Sequence, residues 1–401
     1  ANIDEIRRAI FLFDWDNAFR DNSVDRQVEI FNRTLINIFK NYTPNEMITI
    51  DEKDPPWKTN FIKSKILEKN TLYNNFILNG SKNEDYHLVL SATNNINKLI
   101  NNSKCNYYSR LSSKLSNSKT HPKAYWSILK SLFSNKKLPK IPPLLVDDAF
   151  ISDFKVKASM FNSYFAKQCS VLSNGSVLPE QVHPFQHSFS TVDLSEESLL
   201  ILIRSSDVCK SHGHDGISAR MIKMCDISIV KPLIAIFKNC IHNGVFPSSW
   251  KKANITPIHK KGDKCKVSNY RPISVLPICA KLFENLICIN LYDYISSKNI
   301  LKINQSGFHE GDSCTNQLSV IVHEILKAFD SNPTLEVRGV FLNISKAFDR
   351  VWHEGLIYKL KCIGIKGNAL KVIESFLNNR FQRVVLNGQS SDWESISAGV
   401  P

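Results

Sequence analysis

No stretch of this sequence approaches the about 20 consecutive apolar residues that a membrane-spanning helix needs, so no membrane span is expected. Closely spaced cysteines are missing too. The ten stand singly at Cys105, Cys169, Cys209, Cys225, Cys240, Cys265, Cys279, Cys288, Cys314 and Cys362, which argues against a disulfide framework or a zinc ribbon. The nearest cluster, Cys209, His212, His214 and Cys225, departs from the usual zinc spacings. No repeat is visible. The chain opens at Ala1 with neither an initiator Met nor a signal-peptide pattern, and so reads as part of something longer in a reducing compartment, cytoplasmic or nuclear. The most pointed absence is local: between Asn101 and Lys140 there is no Asp or Glu.

That same stretch holds nine cations: Lys104, Arg110, Lys114, Lys119, Lys123, Lys130, Lys136, Lys137 and Lys140. Among them lie Tyr107, Tyr108, Tyr125, Trp126 and Phe133, the mixture of stacking rings and phosphate-neutralising charge that single-stranded nucleic acid requires. An RNA-binding arm is one reading. The other makes Tyr125, Trp126, Ile128, Leu129 and Leu132 the buried stripe of a helix, and the two are compatible. A formal charge of +14 over 401 residues points the same way, toward a polyanionic partner. At 43% hydrophobic and 22% charged the composition is globular, with room for two or three domains.

Periodicity divides the chain further. Asp54-Pro55-Pro56-Trp57 reads as a turn with an aromatic anchor, and Lys140 to Pro143 and Ser173 to Ser188 read as linkers. Helices are expected over Phe154 to Phe165, from Leu194 with Ser195 as N-cap, over Ala219 to Cys225, and over Ile229 to His242 closed by Gly244. Ala253 to His259 alternates as a strand between lysine pairs. Further helices are expected over Lys281 to Ile295, Asn316 to Phe329, Glu354 to Cys362 and Ala369 to Asn378. The second has apolar residues at 318, 321, 322, 325, 326 and 329 that define a face to bury. A strand over Val337 to Ile344 and a hairpin pairing Gln382 to Leu386 with Trp393 to Ser397 across Asn387-Gly388 complete the expected elements, an α+β order.

Six motifs follow one another: Phe246-Pro247-Ser248-Ser249-Trp250-Lys251, Pro257 to Asp263, Asn269-Tyr270-Arg271-Pro272-Ile273-Ser274, Gln305-Ser306-Gly307-Phe308, Phe341 to Asp349, and Gly399-Val400-Pro401. In that order they resemble the reverse transcriptase of LINE-like non-LTR retrotransposons of the jockey type, closely from Leu194 onward and more loosely before it. The resemblance implies a partial right-hand polymerase, fingers and an incomplete palm, preceded by a mainly helical N-terminal extension. It suggests three regions: a basic helical extension over 1–150, a helical lead-in over 151–250, and a reverse transcriptase domain over 251–401, cut off at the second palm motif.

The resemblance also assigns roles. Mg²⁺ would be the cofactor, with an RNA template and a DNA primer as partners. Position 343 would carry the metal-gripping aspartate and Ile344 a backbone carbonyl to the metal. Lys346 would lie near the triphosphate, and Phe348 would be the gate against a 2′-hydroxyl or else a core aromatic. Lys260, Lys261 and Arg271 would hold template and nucleotide or else form an exposed basic hairpin. The family's acid is Asn343 here. An amide keeps the shape and gives up the charge, and removing a unit charge ~2 Å from a divalent ion weakens their attraction by about 4 kcal/mol even at water's dielectric. Asp349 is either a substitute ligand or the cap of the next turn. His309 and Asp312 stand where basic residues are usual in the family. Asp147-Asp148 reads as a surface turn. The resulting expectation is a reverse transcriptase by family that is inactive as given, with a non-catalytic RNA-binding protein or a translated relic as alternatives.

Overall fold

The computed structural model describes the chain except for residues 1, 21, 45–53, 79–82, 117–124, 127, 130–140, 147–148, 171–177, 180–184, 303 and 333. Lys119, Lys123, Lys130, Lys136, Lys137, Lys140, Leu132, Phe133, Asp147, Asp148 and much of the linker after Ser173 lie outside the described residues. The chain forms two units, Asn45–Lys140 and the combination of Ala1–Pro44 with Ile141–Pro401.

In the larger unit the first three helices, α1 (Ile3–Leu12), α2 (Trp15–Phe19) and α3 (Val24–Tyr42), start at Asn2, Asp14 and Ser23, whose side chains accept from the first-turn amides. The apolar face of α3, with Val28, Phe31 and Leu35, is buried in the same core as residues from Leu199 to Phe283. Arg7 Nε donates to the Met224 carbonyl (2.9 Å) and the Ser248 amide to Asp25 (2.6 Å). A division at residue 150 is thus not where this chain separates: a face of five large apolar groups on α3 needs a partner, and it finds one 170 residues on.

The smaller unit holds α4 (Asn60–Leu78) and α5 (Asn83–Ser116). Trp57 is indeed anchored: its carbonyl accepts from Ser103 Oγ (2.6 Å), and Lys104 Nζ lies 4.6 Å over its ring. Arg110 and Lys114 are exposed on α5. Tyr125 and Trp126 are 39% and 61% exposed, so these two rings do not form a buried stripe.

The rest of the larger unit begins with a small hairpin, β1 (Leu144–Val146) and β2 (Ala149–Ile151). It continues through α6 (Phe154–Gln168), α7 (Glu196–Ser205), α8 (Ala219–Cys225) and α9 (Val230–Asn243). Ser195 caps α7 as expected, and α9 stops at Gly244, whose φ of 66° is left-handed. Trp250 is fully buried between Phe237, Phe246 and Phe283, with ring centroids 5.9 to 6.1 Å away.

Strand β3 (Lys252–His259) pairs antiparallel with β4 (Tyr270–Val275) and parallel with β5 (Arg380–Leu386). Two short strands, β6 (Gln389–Ser390) and β7 (Glu394–Ile396), both pair with β5. Asn387 and Gly388, with φ of 48° and 80°, make the two-residue turn from β5 into β6. On one face α6 packs Ala158, Phe161 and Phe165 against Ala253, Ile255 and Val384. Between β4 and β5 come α10 (Ile278–Ser297), α11 (Cys314–Ser331), α12 (His353–Cys362) and α13 (Gly367–Leu377).

Two expectations are corrected. Residues 335–344 form no strand, and Val340, Phe341, Leu342 and Ile344 are 77% to 92% exposed. Alternating apolar residues make a strand only where a neighbour takes up the backbone N–H and C=O groups, and none does so among the described residues. The apolar face of α11 is likewise uncovered, with Leu318, Val322 and Leu326 more than half exposed. Periodicity states which side a helix would bury, not what it meets.

Candidate nucleotide and nucleic-acid site

The site is built around a turn. Residues 345–350 fold back on themselves, Lys346 taking a left-handed φ of 53°. The last residues lie along this turn: the Val400 amide donates to the Phe348 carbonyl and the Gly399 amide to the Val351 carbonyl, both at 2.9 Å. A His353 ring nitrogen is 2.7 Å from the Gly399 oxygen. The fifth and sixth motifs, some fifty residues apart, are thus joined by main-chain hydrogen bonds.

Between this turn and the α6 face of the sheet lies a cavity of about 310 Å³, lined among others by Cys169, Phe348, Asp349, Arg380, Gln382 and Val400. Asp349 is half-buried. Burial raises its pKa, while Lys346 and Arg350 pull it back. The Cys169 thiol is pushed up to about 11 by burial, with Asp349 adding to the rise and Lys346 opposing it. Lys346 Nζ sits 5.3 Å over the Tyr164 ring. Phe348 is 59% exposed and meets Phe308 edge-on at 5.9 Å, so it is a rim group and not a core aromatic.

The cavity wall is polar in an unusual way. Arg380 is buried, donates Nη1 to the Phe376 carbonyl (2.8 Å), and leaves Nη2 without a partner, as Gln382 leaves Nε2. Burial lowers the Arg380 pKa to about 10, with Glu284 opposing the drop. Glu284 is itself raised to about 7 by burial, against the pull of Arg380 and Lys281. These wall groups escaped the sequence reading. Only the alternation of Arg380 and Gln382 with Phe381 hinted at them, and nothing in the sequence marked Cys169.

Other expected site residues are not brought here. Asn343 and Ile344 are exposed and do not line the cavity. Lys260 and Lys261 are exposed at the β3–β4 turn, which is closed by Lys260 N to Asn269 O and by Asn269 Nδ2 to Asp263 O, both 2.8 Å. Arg271 is exposed, does not line the cavity, and stands on the face of β4 opposite to Tyr270, which is buried in the core with Phe161 and Phe165 of α6. Among the described residues no three His, Cys, Asp or Glu side chains group as a metal site. The oxygens offered near the turn are the Asn343 amide and the Asp349 carboxylate, the latter already facing Lys346. A pair of Mg²⁺ ions wants several charged oxygens, and this donor set does not fit it.

A family model described as reverse transcriptase (RNA-dependent DNA polymerase) matches residues 258–401, from the end of β3 through the cavity to the last residue. The RNA-directed DNA polymerase from mobile element jockey of Drosophila melanogaster is 35% identical over 219 residues, 54% of this chain and 24% of its own length. A probable RNA-directed DNA polymerase from transposon BS of the same species is 33% identical over 219 residues, again 54% and 24%. The jockey polymerase of Drosophila funebris is 25% identical over 390 residues, 95% of this chain and 41% of the relative. Over the segment that holds the cavity the chain is thus similar to the reverse transcriptases of non-LTR retrotransposons. The chain matches about a quarter of the length of the first two relatives. The match to the Drosophila funebris polymerase takes in nearly the whole chain, beyond the sheet and its cavity.

Proposed function

We propose that the cavity is the nucleotide pocket of an RNA-directed DNA polymerase, that the sheet and its flanking helices correspond to fingers and part of a palm, and that nucleotidyl transfer is disabled by Asn343. The observation that carries this reading is the joining of the Phe348 turn to Gly399–Val400 beside a cavity that Phe348 and Asp349 both line. Lys346, a fixed cation at the turn, would face the triphosphate. Phe348 at the rim would meet the sugar. Lys260, Lys261 and Arg271 would contact template phosphates from outside the cavity. Mg²⁺, the cofactor expected of such an enzyme, would supply charge stabilisation that an amide at position 343 cannot anchor.

Equilibrium binding of a fluorescent deoxynucleoside triphosphate separates the pocket from the chemistry. Phe348→Ala and Lys346→Gln should each weaken it about tenfold, and unchanged affinity in both would defeat the pocket assignment. Primer extension on an RNA template with Mg²⁺ or Mn²⁺ should show no incorporation; measurable product would defeat the inactivity.

A second reading, a non-catalytic RNA-binding protein, is favoured by Lys104, Arg110 and Lys114 on α5 with Tyr108 exposed beside them. It requires RNA affinity that falls steeply with salt and survives loss of the nucleotide pocket.

A further inference from the structure

A second concave site lies apart from the sheet cavity and shares no lining residue with it. It sits between the end of α7, the loop that follows, and the start of α10, and holds about 230 Å³. Its lining mixes the apolar Leu202, Leu276 and Leu282 with two amines, Lys210 on the loop and Lys281 on α10. Lys210 is exposed and Lys281 is partly buried. Burial lowers the Lys281 pKa; Glu284, one turn along α10, opposes the drop and Lys210 adds to it.

The other charged groups on the elements around this pocket are engaged elsewhere. Asp207 accepts from the Cys209 amide (2.9 Å), Lys223 of α8 donates to the Ser206 carbonyl (3.3 Å), and Arg204 of α7 is held by Asp226 (2.8 and 2.9 Å). Neither Lys210 nor Lys281 takes part in any ion pair found among the described residues. An amine set against hydrocarbon and beside a second cation gives up its proton more readily, and the neutral amine is the nucleophile. The second cation is then free to hold an anion.

We propose that Lys281 is a nucleophilic lysine that takes an acyl group from a small acyl phosphate, whose phosphate Lys210 holds. The neutral Nζ adds to the acyl carbon, the bond from that carbon to the phosphate oxygen breaks, and phosphate leaves with the electron pair. The surplus amine proton goes to the departing phosphate, and an amide remains on Lys281. The pocket is smaller than the ~300 Å³ at which sites for drug-sized ligands begin, which suits a donor of a few atoms. The site goes beyond the nucleotide pocket and does not depend on it.

Incubating the full chain with acetyl phosphate, and following each lysine by peptide mass spectrometry, tests this. At pH 7.5 Lys281 should be acetylated about tenfold faster than the exposed Lys231 and Lys298, and its rate should level off below the pH at which an ordinary lysine does. Lys210→Gln should slow Lys281 about tenfold, and Lys210→Arg should restore most of the rate because the charge returns. Inorganic phosphate should protect Lys281 and leave Lys298 unaffected. Lys281 reacting no faster than Lys298 would overturn the proposal, as would an unchanged rate in Lys210→Gln or acetylation that phosphate fails to slow. The comparison among lysines and the protection by phosphate are read on the unaltered chain, so they decide the matter even where a Lys210 variant lowers the unfolding midpoint.

Discussion

Gly399 lies so close to the main chain of Asp349 that a methyl group on its α-carbon would sit 2.7 Å from the Asp349 carbonyl oxygen. Its φ of 86° is also one that side chains resist. Both constraints arise because Gly399 and Val400 hydrogen-bond to the turn that carries Phe348. Gly399→Ala should therefore destabilise the fold by about 1–3 kcal/mol, seen as a lower urea midpoint, and should weaken nucleotide binding with it. A variant as stable as the parent would mean that the two segments are not held together in solution.

The carboxyl of Glu284, at about 7 against an ordinary 4.5, holds its proton more tightly folded than unfolded. Its effect on stability is nil below pH 4.5, grows increasingly unfavourable between 4.5 and 7, and is complete above that. Asp215, raised to about 6, acts with the same sign from 3.8 upward. Stability should fall from pH 5 to pH 7.5, and Glu284→Gln should flatten part of that fall, gaining about 2–3 kcal/mol at pH 8. Chemical unfolding across pH measures this, and parallel profiles for parent and variant would contradict the burial of an ionised Glu284.

Phe341 and Leu342 are 89% and 92% exposed in a segment with no strand partner. Brief chymotrypsin treatment should cut after one of them before it reaches Phe237 or Phe246, which are buried. Mass spectrometry of the first fragments gives the answer. Lasting protection of this segment would mean that a strand partner or a covering surface is found in solution.

The elements most legible in advance were those specified by neighbours in sequence. Helix α8 begins and ends as its composition predicts, Ser195 caps α7, and Asn387-Gly388 turns between strands because each depends on hydrogen bonds a few residues away. Segment 337–344 and the apolar face of α11 were misjudged because their burial depends on something from elsewhere in the chain or beyond it. The side on which Arg271 stands, and the meeting of Arg383 with Trp393, followed only from strand register. A slip of one residue would send each side chain to the other face.

By itself the sequence determined the helices, the tight turn, the ordered motifs that resemble those of reverse transcriptases, and the neutral amide at position 343, since all of these are properties of local chemistry. Tertiary structure alone decided that Phe348 and Asp349 share a cavity with Arg380 and Gln382 while Arg271, Arg383 and Trp393 are turned away from it. The reason is geometric: alternation along a strand names two faces, and only packing against α6 says which of them is inside.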